Sequence, residues 1–226
     1  MQNKLRHLGV ILDGNRRWAK QRNLNPWEGY KKGAENLANF LEWCKELKIK
    51  ELTLYAFSLK NFERDKAEVK FLFQLFKLWF LKILKEKRID EDKVRVRFIG
   101  RIKLFPKEIY ELMKKIMEKT KNYNNYRLNF CMAYNGRAEI VDAVNKILKS
   151  KVNKIEEKDF SKNLYLDSEP DLIIRTSGEK RISGFLPWQS SYSEFYFTEK
   201  HWPEFSKQDL IKAIEDFESR ERRFGK

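Results

Sequence analysis

The stretch VILDGNRRWA, Val10 to Ala19, decides the fold. Val10, Ile11 and Leu12 form a short apolar, partly β-branched run of the kind that makes a buried strand. Asp13 then stands at the strand's carboxyl end. Gly14 permits a sharp turn, Asn15 is a good helix N-cap, and Arg16 to Lys20 have the composition of first helical turns. The result is strand, turn and helix. In open α/β sheets ligands bind beyond the carboxyl ends of strands, where the first N–H groups of the next helix face an anion. An acid beside the two guanidiniums of Arg16 and Arg17 points to a metal ion and a phosphate. The bland alternative is a structural turn with a solvated basic helix face.

Working outward, the chain alternates. Strands are predicted at Leu8 to Leu12, Leu52 to Phe57, Val94 to Ile99, Arg127 to Ala133, Leu172 to Arg175 and Phe195 to Phe197. Helices are predicted at Gly33 to Leu47, Ala67 to Lys87, Lys107 to Lys121, Ala138 to Leu148 and Lys207 to Ser219. Such alternation implies an α/β fold: one domain over residues 1–226, with a mainly parallel six-stranded sheet flanked by helices. At 226 residues the chain can bury roughly 70% of its unfolded surface in one core.

The net charge of +15 would suit nucleic acid or an anionic membrane, but 48 basic residues are interleaved with 33 acidic ones along almost the whole length. That pattern reads as solvating surface, and no RNA- or DNA-binding motif accompanies it. Cys44 falls in a helical pattern and Cys131 in a strand pattern, without metal-ligand spacing, so both read as small core residues in a reducing compartment. No signal-peptide pattern precedes the first strand, and a cytoplasmic protein is expected.

Known phosphate loops fail here. GVILDGNR has glycines at the Walker A spacing, but Asn15 stands where the lysine belongs, and no G-x-G-x-x-G follows a strand. There is no G-x-S-x-G elbow, and His7 and His201 have no evident nucleophile partner, so both read as structural. Two further clusters fit the first. Arg175 ends a predicted strand, the loop after it carries Lys180, Arg181 and Ser183, and Glu194 comes just before Phe195. In YAFSLKNFER, Ser58, Asn61 and Arg64 follow another strand. By the strand-end rule these clusters share one cleft with Asp13.

The segments HLGVILDGNRRWA, LTLYAFSLKNFER, IRTSGEKRISGFLPWQSSYSEFYF and RERRFG resemble, in order, the characteristic segments of cis-prenyltransferases, the undecaprenyl diphosphate synthase family. No aspartate-rich D-D-x-x-D segment of trans-prenyltransferases is present. The resemblance implies condensation of isopentenyl diphosphate onto an allylic diphosphate (farnesyl or geranylgeranyl), with Z double bonds formed, magnesium as cofactor and a homodimer as the working unit. By resemblance Asp13 and Glu194 hold the metal and Asn15 assists proton removal, with Asn61 in the same catalytic set. Gly14, Arg16 and Arg17 hold the allylic diphosphate; Arg175, Arg181 and Ser183 hold isopentenyl diphosphate. Trp18, Phe57 and Phe62 line the reacting carbons. Ser58, Arg64 and Lys180 join the substrate site, and Arg223, in an R-x-G ending, reaches the neighbouring subunit's isopentenyl diphosphate. The apolar product is delivered to a membrane that the protein touches peripherally.

The chain departs from the commonest bacterial pattern at several of these places. Arg16 replaces the second glycine of DGNGRW, Pro26 and Tyr30 stand where an arginine and a histidine are frequent, and Lys180 replaces a histidine. A protonated ammonium cannot ligate a metal, so Lys180 is assigned to phosphate. Phe62 replaces a tryptophan and Asp65 a proline. These variants are closer to archaeal and eukaryotic members, and a related acceptor such as a sugar alcohol would suit the same fold. On the helix from Ala67 to Lys87, Lys70, Gln74, Lys77 and Lys85 form a polar stripe, while Leu72, Phe76, Trp79 and Ile83 take the opposite face. That apolar face is expected to wall a hydrophobic product tunnel, with an ordinary core helix as the alternative.

Overall fold

The computed structural model describes residues 5–150, 152 and 154–220. Its strands are β1 (His7–Ile11), β2 (Glu51–Ser58), β3 (Val94–Ile99), β4 (Tyr126–Tyr134), β5 (Leu172–Arg175) and β6 (Glu194–Phe197). They pair side by side in the order β3-β4-β2-β1-β5-β6, every neighbour parallel. All six predicted strands are present, β3 and β5 with the predicted bounds.

The helices are α1 (Asn15–Gln21), α2 (Pro26–Glu46), α3 (Lys66–Lys85), α4 (Lys87–Glu91), α5 (Lys107–Thr120), α6 (Gly136–Lys149), α7 (Glu157–Asn163) and α8 (Lys207–Ser219). Local chemistry sets where they start. Helix α2 begins seven residues before the predicted Gly33, because Asn25 Oδ1 accepts the Trp27 N–H and Pro26 supplies the first-turn geometry. The predicted helix to Lys87 divides at Glu86, which adopts an extended backbone and caps α4 through the Arg88 N–H. Helix α1 differs in its cap: Gly14, at φ 101°, takes the N-cap position, and Asn15 is already the first helical residue.

Alternation along the strands gives the sheet two unlike faces. Leu8, Val10, Leu52, Leu54, Val96, Phe98, Leu128, Phe130, Leu172 and Ile174 face one core, shared with Phe40 and Cys44 of α2, Leu72 and Phe80 of α3, Met113 and Ile116 of α5 and Leu210 and Phe217 of α8. Full burial of such a side chain contributes about 1.5–3 kcal/mol. On the other face Ile11, Ile99, Cys131 and Ile173 pack with Phe185 and Leu186 from the segment after β5. The chain therefore leaves β1 over one face and β5 over the other, and their adjacent carboxyl ends frame a crevice. Cys44 and Cys131 are buried free thiols, and burial pushes both pKa values up. Among the described residues no helix is long and apolar enough to cross a membrane.

Candidate active site

The turn after β1 is fixed from three sides. Asp13 Oδ1 accepts the Gly14 N–H at 2.7 Å, the Asp13 N–H donates to Thr176 Oγ1 at 3.0 Å, and the Asp13 carbonyl accepts the Trp202 N–H at 3.0 Å. A side chain at Gly14 would meet both His201 Nδ1 and Ser177 Oγ at 2.7 Å, beyond the cost of its positive φ. Those two buried atoms are hydrogen-bonded to each other, so His201 has a hydroxyl partner that the sequence did not reveal.

What this rigidity positions is the Asp13 carboxylate. Its Oδ2 accepts from Arg175 Nη2 at 2.8 Å and lies 3.1 Å from Arg17 Nη2. Burial alone would push this carboxyl up, but the hydrogen bonds and charges of Arg175 and Arg17 outweigh that cost and hold it below the usual carboxylate range. Arg175, 4% exposed, also donates through Nη1 to Ser183 Oγ at 2.8 Å and to the Arg181 carbonyl, while its buried Nε has no partner. Arg17 is further held by the Ser177 carbonyl and Glu179. Asn15 donates through Nδ2 to the Leu12 carbonyl at 3.3 Å, and its buried Oδ1 has no partner.

A cavity of about 850 Å³ opens over these residues. Asp13, Gly14, Asn15, Arg16, Arg17, Phe57, Ser58, Asn61, Arg64, Arg175 and Ser183 all line it, so three strand ends do share one cleft. Asn61 Oδ1 accepts the Ser58 N–H at 2.9 Å, closing the turn after β2. Among the described residues Asp13 is the one carboxylate lining this cavity. A second, mainly apolar cavity of about 330 Å³ lies beside it, lined by α2, α3 and the sheet. The two share walls at Ala34, Leu37, Ala56, Leu75 and Phe76, and Phe76, Trp79 and Ile83 of α3 line the apolar one.

Several expected site residues lie elsewhere. Glu194 begins β6 and pairs with Leu172, whereas Asp13 lies beyond Ile11, which pairs with Arg175. Three residues of strand, about 10 Å, separate those rows, so the two carboxylates stand at opposite edges of the sheet and cannot share a metal within one chain. Glu194 pairs instead with Arg220 at 2.7 Å. Trp18 faces away from the cavity and stacks under the Arg22 guanidinium at 4.6 Å. Phe62 packs behind Phe57, ring centroids 4.9 Å apart, among Phe73 and Phe105. Lys180 and Arg181 are exposed and outside the cavity lining, Arg181 pairing with Glu179. Arg223 lies outside the described residues.

Behind the cavity wall stands a carboxylate that sequence reasoning missed. Buried Glu68 accepts from the Tyr30 hydroxyl and from Arg64 Nη1 at 3.0 Å, with Arg16 Nη1 at 3.6 Å. Asp65-x-x-Glu68 reads as a helix start, and Asp65 does cap α3, which hides the second task of Glu68. Tyr30 and Arg64 line the cavity directly.

The family model described as "Putative undecaprenyl diphosphate synthase" matches residues 11–225. The tritrans,polycis-undecaprenyl-diphosphate synthase (geranylgeranyl-diphosphate specific) of Pyrococcus abyssi is 47% identical over 98% of this chain and 87% of that protein; its Thermoplasma volcanium counterpart is 45% identical over 98% and 89%. Among solved structures, lavandulyl diphosphate synthase from Lavandula x intermedia in complex with dimethylallyl diphosphate superimposes with a TM-score of 0.94 at 31% identity, covering all of both chains. A probable undecaprenyl diphosphate synthase from Campylobacter jejuni gives 0.84 at 33%, also over both whole chains. The family model and these relatives match the chain over nearly its whole length, and the chain belongs to the undecaprenyl diphosphate synthase family of cis-prenyltransferases.

Proposed function

We propose that the chain condenses isopentenyl diphosphate repeatedly onto geranylgeranyl diphosphate to build a long Z-polyprenyl diphosphate. The observation that carries this reading is a pair of adjacent cavities that share the wall residues Ala34, Leu37, Ala56, Leu75 and Phe76: a cationic one lined by Asp13 as its carboxylate among the described residues, and an apolar one beside it. Such a shape suits a substrate with a diphosphate head and a hydrocarbon tail. The primer length is taken from the named specificity of the archaeal relatives.

The residues present fit a magnesium ion. Magnesium is commonly bound by one or two carboxylates plus substrate phosphates and water. Asp13, held ionised by Arg17 and Arg175, is a sufficient protein ligand, and among the described residues no cluster of three ligating side chains competes with it. When bound, the ion neutralises charge on the departing diphosphate. Arg16, Arg17 and the backbone at Gly14 hold the allylic headgroup. Arg175 and Ser183 hold the isopentenyl headgroup, while Lys180 and Arg181 add positive charge from the exposed part of the same loop. The allylic C–O bond breaks, the terminal carbon of the isopentenyl alkene bonds to the allylic C1, and a proton leaves the adjacent methylene. An amide is too weak a base to keep that proton. The unpartnered Asn15 Oδ1 therefore orients the step, Asn61 holds the facing turn, and a diphosphate oxygen is the base at hand. Phe57 walls the reacting carbons. The working unit is a homodimer that releases its apolar product to a membrane in the cytoplasm.

Incubation of the purified chain with labelled isopentenyl diphosphate, magnesium and primers of ten, fifteen and twenty carbons tests this. The expected result is extended product, with the twenty-carbon primer giving the highest kcat/KM. No incorporation from any primer rejects the reading; preference for a shorter primer rejects the primer assignment alone.

A further inference from the structure

At the amino ends of the strands, at the opposite end of the sheet from the catalytic crevice, lies a second charged pocket. Alternation puts Arg95 and Arg97 of β3 and Arg127 and Asn129 of β4 on one face, and the register sets Arg95 directly opposite Arg127. Like charges directly opposed on neighbouring strands repel. The acids nearby relieve them only in part. Glu51 takes Arg127 at 3.2 Å on one oxygen, and its other oxygen is engaged by Asn129 at 2.9 Å and Ser168 at 2.6 Å. Arg97 donates to the Tyr165 carbonyl at 2.8 Å and stands 3.9 Å from Asp167. Arg95 has no hydrogen bond or ion pair among the described residues. These side chains and Lys162 of α7 enclose a pocket of about 300 Å³.

We propose that this pocket binds a phosphate-class oxyanion. Guanidinium forks converging from adjacent strands match the oxygens of phosphate or diphosphate, and an anion there removes the Arg95–Arg127 repulsion. Burial, reinforced by the charges of Arg95 and Arg127 and opposed by Asp167 and Glu51, pulls the Arg97 pKa below the ordinary guanidinium range, as expected of a cation in need of an anion. The pocket is concave and the size of one small ligand, which favours a single anionic group over an extended nucleic-acid backbone. From Glu51 to Ser58 the sheet runs about 20 Å, so this pocket is separate from the catalytic headgroup cavity.

The same chemistry is offered by free diphosphate and by an anionic lipid headgroup, and two arms separate them. In the first, inorganic diphosphate is titrated calorimetrically into the full chain, into Arg95→Ala and into Arg97→Gln. The expected result is two classes of site in the parent, with one class weakened about tenfold or more in each variant, the loss of one ionic hydrogen bond. In the second, flotation on phosphatidylglycerol and phosphatidylcholine vesicles is compared; binding confined to phosphatidylglycerol and lost in Arg95→Ala assigns the lipid source. Arg95 is exposed and opposed by Arg127, so its variant melts no lower than the parent and keeps the parent's rate of isopentenyl incorporation without added anion. A single class of diphosphate site, together with vesicle binding that is absent or indifferent to Arg95, overturns the proposal.

Discussion

Replacing Asp13 by Asn keeps the volume of the turn and removes its charge. Two guanidiniums then lose their anion. Arg175 is 4% exposed, so its ionic hydrogen bond is worth about 1.5–3 kcal/mol, whereas Arg17, 44% exposed and also held by Glu179, loses at most about 1 kcal/mol. The variant is expected to be about 2–4 kcal/mol less stable, a fall in Tm on the order of 10 °C for a chain of this length. Turnover falls far more, about a hundred- to ten-thousandfold, because the charge on the departing diphosphate is no longer neutralised. A second readout separates this from a merely weakened turn. With their carboxylate gone, Arg17 and Arg175 bind inorganic diphosphate more tightly in the absence of magnesium, so added diphosphate raises the variant's Tm more than the parent's. Differential scanning fluorimetry with and without diphosphate, beside a labelled-substrate assay, measures both. Turnover within tenfold of the parent, or parent activity that persists in excess chelator, refutes the assignment. A loss confined to the Gly14 N–H contact would cost about 1 kcal/mol and leave the rate alone.

Phe76 lines both cavities and meets Phe57 edge-on at 5.7 Å, so Phe76→Ala should widen their junction and shift products longer; chromatography showing an unchanged chain-length distribution in a folded variant assigns Phe76 to packing alone. Glu68→Gln loosens the shared anchor of Tyr30, Arg64 and Arg16, and should raise KM for the allylic primer several-fold while leaving that for isopentenyl diphosphate nearly unchanged; equal effects on both would place the cluster outside the allylic half. Burial lowers the His7 pKa from its ordinary 6.5 despite the opposing charge of Glu51, so the native state binds fewer protons than the unfolded one. The stability this gives is complete above about pH 6.5 and drains away as pH falls toward the lowered folded value; Tm should drop over that range in the parent and be flatter in His7→Gln, and parallel curves would reject the linkage.

What the sequence made legible follows from chain-local rules. Leu172, Ile173 and Ile174 are apolar on both faces, as a strand buried on both sides requires, so β5 and the position of Arg175 at its end could be read directly. Asp13, Ser58 and Asn61 follow by the same logic. Glu194 was misplaced although the rule that corrects it was at hand: in a parallel sheet the residue before a strand stands at the edge opposite the residue after one. Trp18 and Phe62 were misread for a different reason. Both follow a turn whose geometry sets the direction of the next side chain: Gly14 at positive φ starts α1 one residue early, and the 3-10 turn Leu59–Glu63 points Phe62 back beneath Phe57. The early start of α2 was written in Asn25-Pro26, a cap and first-turn pair that an apolar-period search begins too late to see.

The apolar face of α3 was legible and the cavity beside it was not. Leu72, Phe76, Trp79 and Ile83 have the spacing of any core-facing helix, and periodicity says nothing about whether the facing element fills the space they leave. That depends on α2 and β2, which present Ala34, Ala38 and Ala56 where larger side chains would close the gap. Protein interiors are otherwise packed like molecular crystals, and filling such a gap would gain several kcal/mol of contacts. Three alanines on two separate elements, all facing the same apolar wall, give up that stability together, and the arrangement is understandable when a hydrocarbon chain supplies the missing contacts. The cationic cavity shows the same surplus: Arg17 and Arg175 crowd one carboxylate, and Arg175 Nε is buried without a partner among the described residues, an arrangement that is understandable when an anionic headgroup supplies the remaining charge.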